Sequence, residues 1–215
     1  PNDQCSGAMA MTADVIYSQP TYQATSTGDP LFSCDGGALN GVWYTFTSPT
    51  NAHVVLSTCD SDFSTTLAVF TGGCGSMTQV AGGCNLGYYG PPCYNSEASV
   101  TFDVSANTTY WILAGGYYGG TGNLSIVAHA YPLLTIDCPD PITVFAAQNA
   151  PPADPSLVQI LSPGCGGLVK TVYPDQVSES QIIRTYEVRD SCGQIQQCDQ
   201  IIYLTCRPPH INSVS

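Results

Sequence analysis

The chain has 215 residues, of which only 9% are charged, with 4 Lys and Arg against 16 Asp and Glu and a formal net charge of −12. An ordinary soluble domain is about 25% charged, and helical bundles are rich in Ala, Glu, Lys, Leu and Arg; four cations cannot build the basic face that nucleic acid requires. Mean hydropathy is +0.05 and no apolar run is long enough for a membrane-spanning helix, while 43% hydrophobic and 10% aromatic residues exclude a disordered chain.

The first element signal in chain order is Gly7–Tyr17, whose periodicity fits a helix only ambiguously. Strand signals then dominate. Gly41–Ser48 reads GVWYTFTS, Ala52–Thr58 reads AHVVLST and Thr65–Thr71 reads TTLAVFT. Ser99–Val104 alternates apolar and polar residues, and Thr109–Ala114 and Leu124–Ala130 follow. Gly, Pro, Asn and Asp clusters separate these runs at short intervals, as in sandwiches and barrels. A boundary falls near Tyr131–Pro132. Beyond it lie Leu133–Asp137, Ile142–Ala146, Leu157–Leu161, Leu168–Val172 and Ile182–Arg189, then a hairpin turn at Ser191–Gln194 and a last strand, Ile201–Leu204. In Ile182–Arg189 the alternation sets Ile182, Arg184, Tyr186 and Val188 on one face.

Charge shifts at the same boundary. Residues 1–132 hold no Lys or Arg; Lys170, Arg184, Arg189 and Arg207 all follow. The expected fold class is all-β: two tandem antiparallel β-sandwiches, jelly-roll-like over 1–132 and immunoglobulin-like over 133–215, stabilised by disulfides. A domain of some 80 residues buries only about 60% of its unfolded surface, so cross-links would matter.

Eleven cysteines support that reading. Zinc spacing is absent, and disulfides form outside the cytoplasm. The chain starts at Pro1, which reads as a mature form after removal of an export signal. The expected location is extracellular, secreted or at the cell surface. The first domain has Cys5, Cys34, Cys59, Cys74, Cys84 and Cys93. Six cysteines allow 15 pairings, of which the simplest is local: Cys5–Cys34, Cys59–Cys74 and Cys84–Cys93. The second has Cys138, Cys165, Cys192, Cys198 and Cys206. The odd one, assigned to Cys206, is free, intermolecular, or paired to a segment outside this sequence.

Two resemblances follow from longer stretches. The first domain opens with NDQC, continues through VWYTF, a strand ending in Cys59, SDFSTTLAVFTG and CGS, and closes on GGYYGGTGN. This series resembles the pre-peptidase C-terminal (PPC-like) β-sandwich domains of secreted bacterial proteins. The second, with LTIDCPDPITV, SPGCGG and RTYEVRDSCGQIQQCDQIIYL, resembles the immunoglobulin-like (HYR-like) repeats of large bacterial surface proteins. The resemblances imply sandwich folds and a role in adhesion or cell-surface architecture. Neither implies catalysis.

The candidate sites follow from residue chemistry. The histidines are His53, His129 and His210, the first two inside strand patterns, and no nucleophile-elbow, zinc-protease or P-loop motif occurs, so no enzyme is expected. Calcium wants several oxygen ligands. Asp60 and Asp62 flank Ser61 on a loop, Asp35 and Asp3 are further candidates, and in a domain without Lys or Arg a cation would relieve their repulsion. Tyr88, Tyr89, Tyr94, Tyr117 and Tyr118 lie in Gly-rich segments and suit sugar stacking, protein contact or loop packing. Asn107-Thr108-Thr109 and Asn123-Leu124-Ser125 are glycosylation candidates. Lysine, a common guard of exposed sheet edges, is missing from the first domain, and the tail His210–Ser215 is β-prone. These features lead to an extracellular structural protein, a filament subunit or adhesive stalk that pairs strands with copies of itself or contacts other surface proteins or glycans. The alternative is a secreted carbohydrate-binding or adhesion module.

Overall fold

The structure is a computed structural model that describes residues 2–30, 39–83, 93 and 96–205. It is all β apart from short 3-10 turns, with the chain divided into two compact units, Pro1–Tyr131 and Pro132–Ser215.

The first unit has two sheets over one core. One sheet runs in the order β1 (Met9–Met11), β3 (Leu39–Thr47), β8 (Thr109–Gly116), β5 (Thr65–Gly73), β6 (Ser76–Gly83). The other runs β2 (Tyr17–Pro20), β9 (Asn123–Tyr131), β4 (Ala52–Ser57), β7 (Ser99–Val104). Period-two alternation explains their packing. Val42, Tyr44 and Phe46 from β3, Leu67 and Val69 from β5 and Ile112 from β8 meet Val54, Leu56, Leu124 and Ile126 of the opposite sheet. Burial pushes the Tyr44 phenol up to about 12, while Gln19 Nε2 donates to its oxygen at 3.0 Å.

The alternate residues of the central strands are apolar too. Trp43, Ala68, Phe70 and Leu113 form a second cluster on the outer face, covered by Cys5, Ala8 and Met77. A sheet buried on both faces reads as a continuous apolar run rather than a strict alternation, which accounts for VWYTF, TTLAVF and YWILA. The Cys5–Cys74 disulfide anchors the N-terminal cover to the end of β5.

The second unit is smaller. A two-stranded sheet pairs β10 (Leu134–Asp137) with β12 (Gln159–Pro163). A larger sheet runs β11 (Ile142–Val144), β16 (Ile195–Leu204), β15 (Gln181–Arg189), β13 (Val169–Val172), with the short β14 (Gln176–Val177) also on β15. Leu134, Val158, Tyr186 and Val188 form the core. Arg184 shares their inward register and is 4% exposed. Its Nε and Nη2 donate to the two oxygens of Asp175 at 2.8 and 2.7 Å. This two-pronged contact holds the Asp175 carboxyl below the usual carboxylate range and the Arg184 guanidinium above its own.

Two expectations are corrected and one ambiguity is resolved. Pairing is not wholly antiparallel, since β1 joins β3 and β11 joins β16 in parallel. Gly7–Tyr17, ambiguous by its periodicity, carries β1 and leads into β2. The local disulfide scheme fails for Cys5 and Cys59. The bonds are Cys5–Cys74 and Cys59–Cys93, with Cys138–Cys198 and Cys165–Cys192 in the second unit. Sheet packing, not sequence proximity, decides which sulfurs meet: Cys5 lies against the outer face near the β5–β6 turn, whereas Cys59 leaves β4 toward the segment entering β7. Cys34, Cys84, Cys206 and the tail His210–Ser215 lie outside the described residues.

Candidate functional site

One end of the first unit gathers three loops through hydrogen bonds. Thr21, just after β2, gives its backbone N–H to the Gly122 carbonyl at 2.9 Å, and its hydroxyl accepts from Gly122 N–H at 3.1 Å. From the β4–β5 loop, Ser61 Oγ accepts from Ser125 N–H at 3.0 Å. Asp62 accepts from Asn123 N–H at 2.7 Å and from Asn123 Nδ2 at 2.8 Å. Tyr117 N–H donates to Ser64 O at 3.0 Å. The β8–β9 connection, Tyr117–Gly119 and Gly120–Gly122, is thus tied to both neighbours. Asn40 Nδ2 also donates to Gly119 O at 3.2 Å.

The glycines here are close-approach positions. A Cβ at Gly116 would strike the Gly120 backbone, and one at Gly122 would strike Asp62 Oδ1 and the Phe63 ring. Between them Tyr118 takes φ 50° and ψ 35°. That left-handed conformation is an outlier for a bulky residue and persists only where the surroundings impose it. The Tyr117 and Tyr118 rings meet edge to face, with centroids 4.3 Å apart. Tyr118 is 68% exposed and Tyr22, in the loop carrying Thr21, is 62% exposed. The arrangement presents aromatic faces to solvent on a hydrogen-bonded platform, with the exposed carboxylates of Asp60 and Asp62 on an adjoining loop.

The sequence-stated site residues separate. Tyr117 and Tyr118 stand at this end. Tyr88, Tyr89 and Tyr94 lie outside the described residues, as does Asp35. Tyr22 was missed, because a lone aromatic in QPTYQAT carries little signal beyond its turn residues. Among the described residues, the calcium candidates Asp3, Asp60 and Asp62 form no common cluster. Asp62 spends both oxygens on Asn123, and Asp3 accepts from Thr25 N–H and Oγ1. The backbone hydrogen bond from Thr25 holds Asp3 below the usual carboxylate range. Among the described residues no group of three or more His, Cys, Asp and Glu side chains is placed to hold a metal ion.

The premise behind calcium also changes. Several acids of the first unit have partners other than Lys or Arg. Asp103 Oδ1 lies 2.7 Å from His53 Nδ1, Asp14 Oδ1 lies 2.7 Å from His129 Nδ1, and Asp29 Oδ1 accepts from Trp43 Nε1 at 2.9 Å. Asp29 Oδ2 is buried without a hydrogen-bond partner among the described residues, and burial raises its pKa. His53 is thus paired across the sheet with Asp103 on β7 and His129 with Asp14 in the β1–β2 turn, and the buried His53 Nε2 has no hydrogen-bond partner among the described residues.

No protein-family model matches the chain, and no curated protein matches it. A solved structure, the M60 catalytic domain with the CBM51-1 and CBM51-2 domains from Clostridium perfringens ZmpB, is similar over 95% of this chain at 10% identity and a TM-score of 0.29. This chain spans 24% of that one. A likeness at this level carries no functional argument.

Proposed function

We propose that the chain is a non-catalytic extracellular adhesion module that binds polysaccharide at the tyrosine-bearing end of its first unit. The observation that carries this reading is Tyr118, an exposed aromatic held at a left-handed backbone position by the loops around it. Fixing a ring before a ligand arrives lowers the ordering cost of binding, and an exposed aromatic face suits the C–H face of a sugar ring. The exposed carboxylate of Asp60 adds hydrogen-bond acceptors for hydroxyls on the adjoining loop. The four disulfides among the described residues fit an oxidising compartment, and the resemblance to PPC-like and HYR-like domains is in keeping with a surface role. A glycan array probed with the disulfide-intact chain tests the reading. Binding to a polysaccharide class that is lost in Tyr118→Ala supports it; an array with no binder, or one unchanged by the substitution, sinks it.

Self-assembly is the second reading, and the second unit favours it. Phe145, Leu161, Val169 and Val177 are exposed there, and among the described residues β10 and β12 each have one strand neighbour. Exposed apolar side chains and open sheet edges are sites for a further chain. Negative-stain imaging and size-exclusion chromatography decide it: polymers support assembly, and a monomer at all concentrations removes it.

A further inference from the structure

We infer that Asn107, and not Asn123, is the asparagine of this chain open to N-linked glycosylation in the folded protein. Both begin an Asn-x-Ser/Thr triplet, so sequence ranks them equally. Their surroundings differ.

Both asparagines are exposed; Asn107 stands at the tip of the connection from β7 to β8. Its φ is 59°, a left-handed conformation that asparagine tolerates better than most residues. The backbone does the structural work at this tip. Asn107 N–H donates to Ser48 O at 2.7 Å, Thr108 N–H donates to Ser105 O at 3.2 Å, and Ala106 N–H donates to Asn51 Oδ1 at 2.8 Å. The Asn107 side-chain amide takes no part in these bonds. The loop stays anchored while its amide has no hydrogen-bond partner among the described residues.

Asn123 opens β9 inside the loop assembly described above. Its Nδ2, the atom that would be modified, donates to Asp62 Oδ2 at 2.8 Å while its backbone N–H donates to Asp62 Oδ1. The last residues of both triplets are held, Ser125 through its N–H to Ser61 Oγ and Thr109 through its hydroxyl to Thr47 Oγ1 at 3.0 Å, so the two sites differ at the asparagine amide. A sugar on Nδ2 would break the paired contact with Asp62 and push the β4–β5 loop away from β9.

The chemistry is a group transfer from a lipid-pyrophosphate-linked oligosaccharide. The amide Nδ2 forms a bond to C1 of the first sugar, the C1–O bond to the pyrophosphate breaks, and the lipid pyrophosphate leaves with the amide proton lost to solvent or base. No redox partner is needed. The inference is independent of the ligand reading, because the Asn107 tip is formed by different loops from those that hold Tyr118.

The test uses purified, disulfide-intact chain incubated with an oligosaccharyltransferase and its lipid-linked donor, followed by glycopeptide mass spectrometry. The reduced and unfolded chain is run in parallel. The expected result is at least tenfold higher occupancy at Asn107 than at Asn123 in the folded chain. Unfolding is expected to raise Asn123 occupancy toward that of Asn107. Asn107→Gln should abolish modification of the folded protein, and Asn123→Gln should leave it unchanged. Equal occupancy of the two sites in the folded chain, or no transfer to Asn107, overturns the proposal.

Discussion

Arg184 is the most exacting charge in the second unit, and Asp175→Asn tests how it is tolerated. The Arg184 side chain is 5% exposed and the Asp175 side chain 28%. Removing one partner of a buried ion pair costs about 3–5 kcal/mol, because the other charge is left buried. Water reaches Asp175, which places the expected cost at or just below the lower end of that range, about 2–3 kcal/mol. For a unit of roughly 80 residues, each kcal/mol moves the Tm by about 4–8 °C, so a fall of about 10–20 °C is expected. Calorimetry of the full disulfide-intact chain at pH 7 reads this in the transition of the second unit. Arg184→Met, with a partly exposed carboxylate left behind, should be milder. The double variant should be more stable than Asp175→Asn alone, since no buried charge remains. The pH dependence has a definite sign. A carboxyl held below its ordinary value contributes stability that is present above that value and lost as pH falls through the folded one. The gap between wild type and Asp175→Asn should therefore close in acid, below about pH 4. A Tm shift below about 2 °C at pH 7 would refute the buried pair as a source of stability.

Other substitutions probe the first unit. Gly116→Ala puts a Cβ against the Gly120 backbone and should displace the Tyr117–Tyr118 turn, removing polysaccharide binding while far-UV circular dichroism stays β-rich. Retained binding would show that the turn is not the site. Asp29→Asn should raise the melting temperature at neutral pH. The folded-state pKa of Asp29 is raised by burial, so its contribution becomes unfavourable as pH rises through that range, and no gain at pH 7 over that at pH 3 would contradict the assignment. Non-reducing peptide mapping should return linked peptides for Cys5–Cys74 and Cys59–Cys93; a Cys59–Cys74 peptide would refute the packing of the first unit.

Most of the strands were legible because their side chains are buried on one or both faces. VWYTF, TTLAVF and SVTFDV announce themselves by β-branched and aromatic content. The strands that escaped notice are those whose formation depends on neighbours. β6, SMTQVAGG, pairs with β5 across a register shift between Val69 and Phe70, and β2 ends in Pro20 at a sheet edge, where proline is tolerated. Disulfide connectivity escaped for the same reason, since 69 residues separate Cys5 from Cys74. Arg184 was placed correctly on the apolar face by alternation, yet nothing local named Asp175 as the residue that would neutralise it. At the tyrosine end, Tyr117 and Tyr118 stood out in their glycine-rich setting. The role of Asp62 did not, because its partner Asn123 is 61 residues away. Asp62, a calcium candidate by sequence, is an acceptor that holds two loops together.

The ligand reading rests on Tyr118, and isothermal titration measures that dependence most directly. A polysaccharide fragment selected by the array is titrated into wild type and Tyr118→Ala under identical conditions. Loss of a well-placed aromatic contact costs about 1–2 kcal/mol or more, so Kd should rise by roughly 5–30-fold. An unchanged Kd, with the fold intact, would contradict the assignment of this end of the molecule as the binding site.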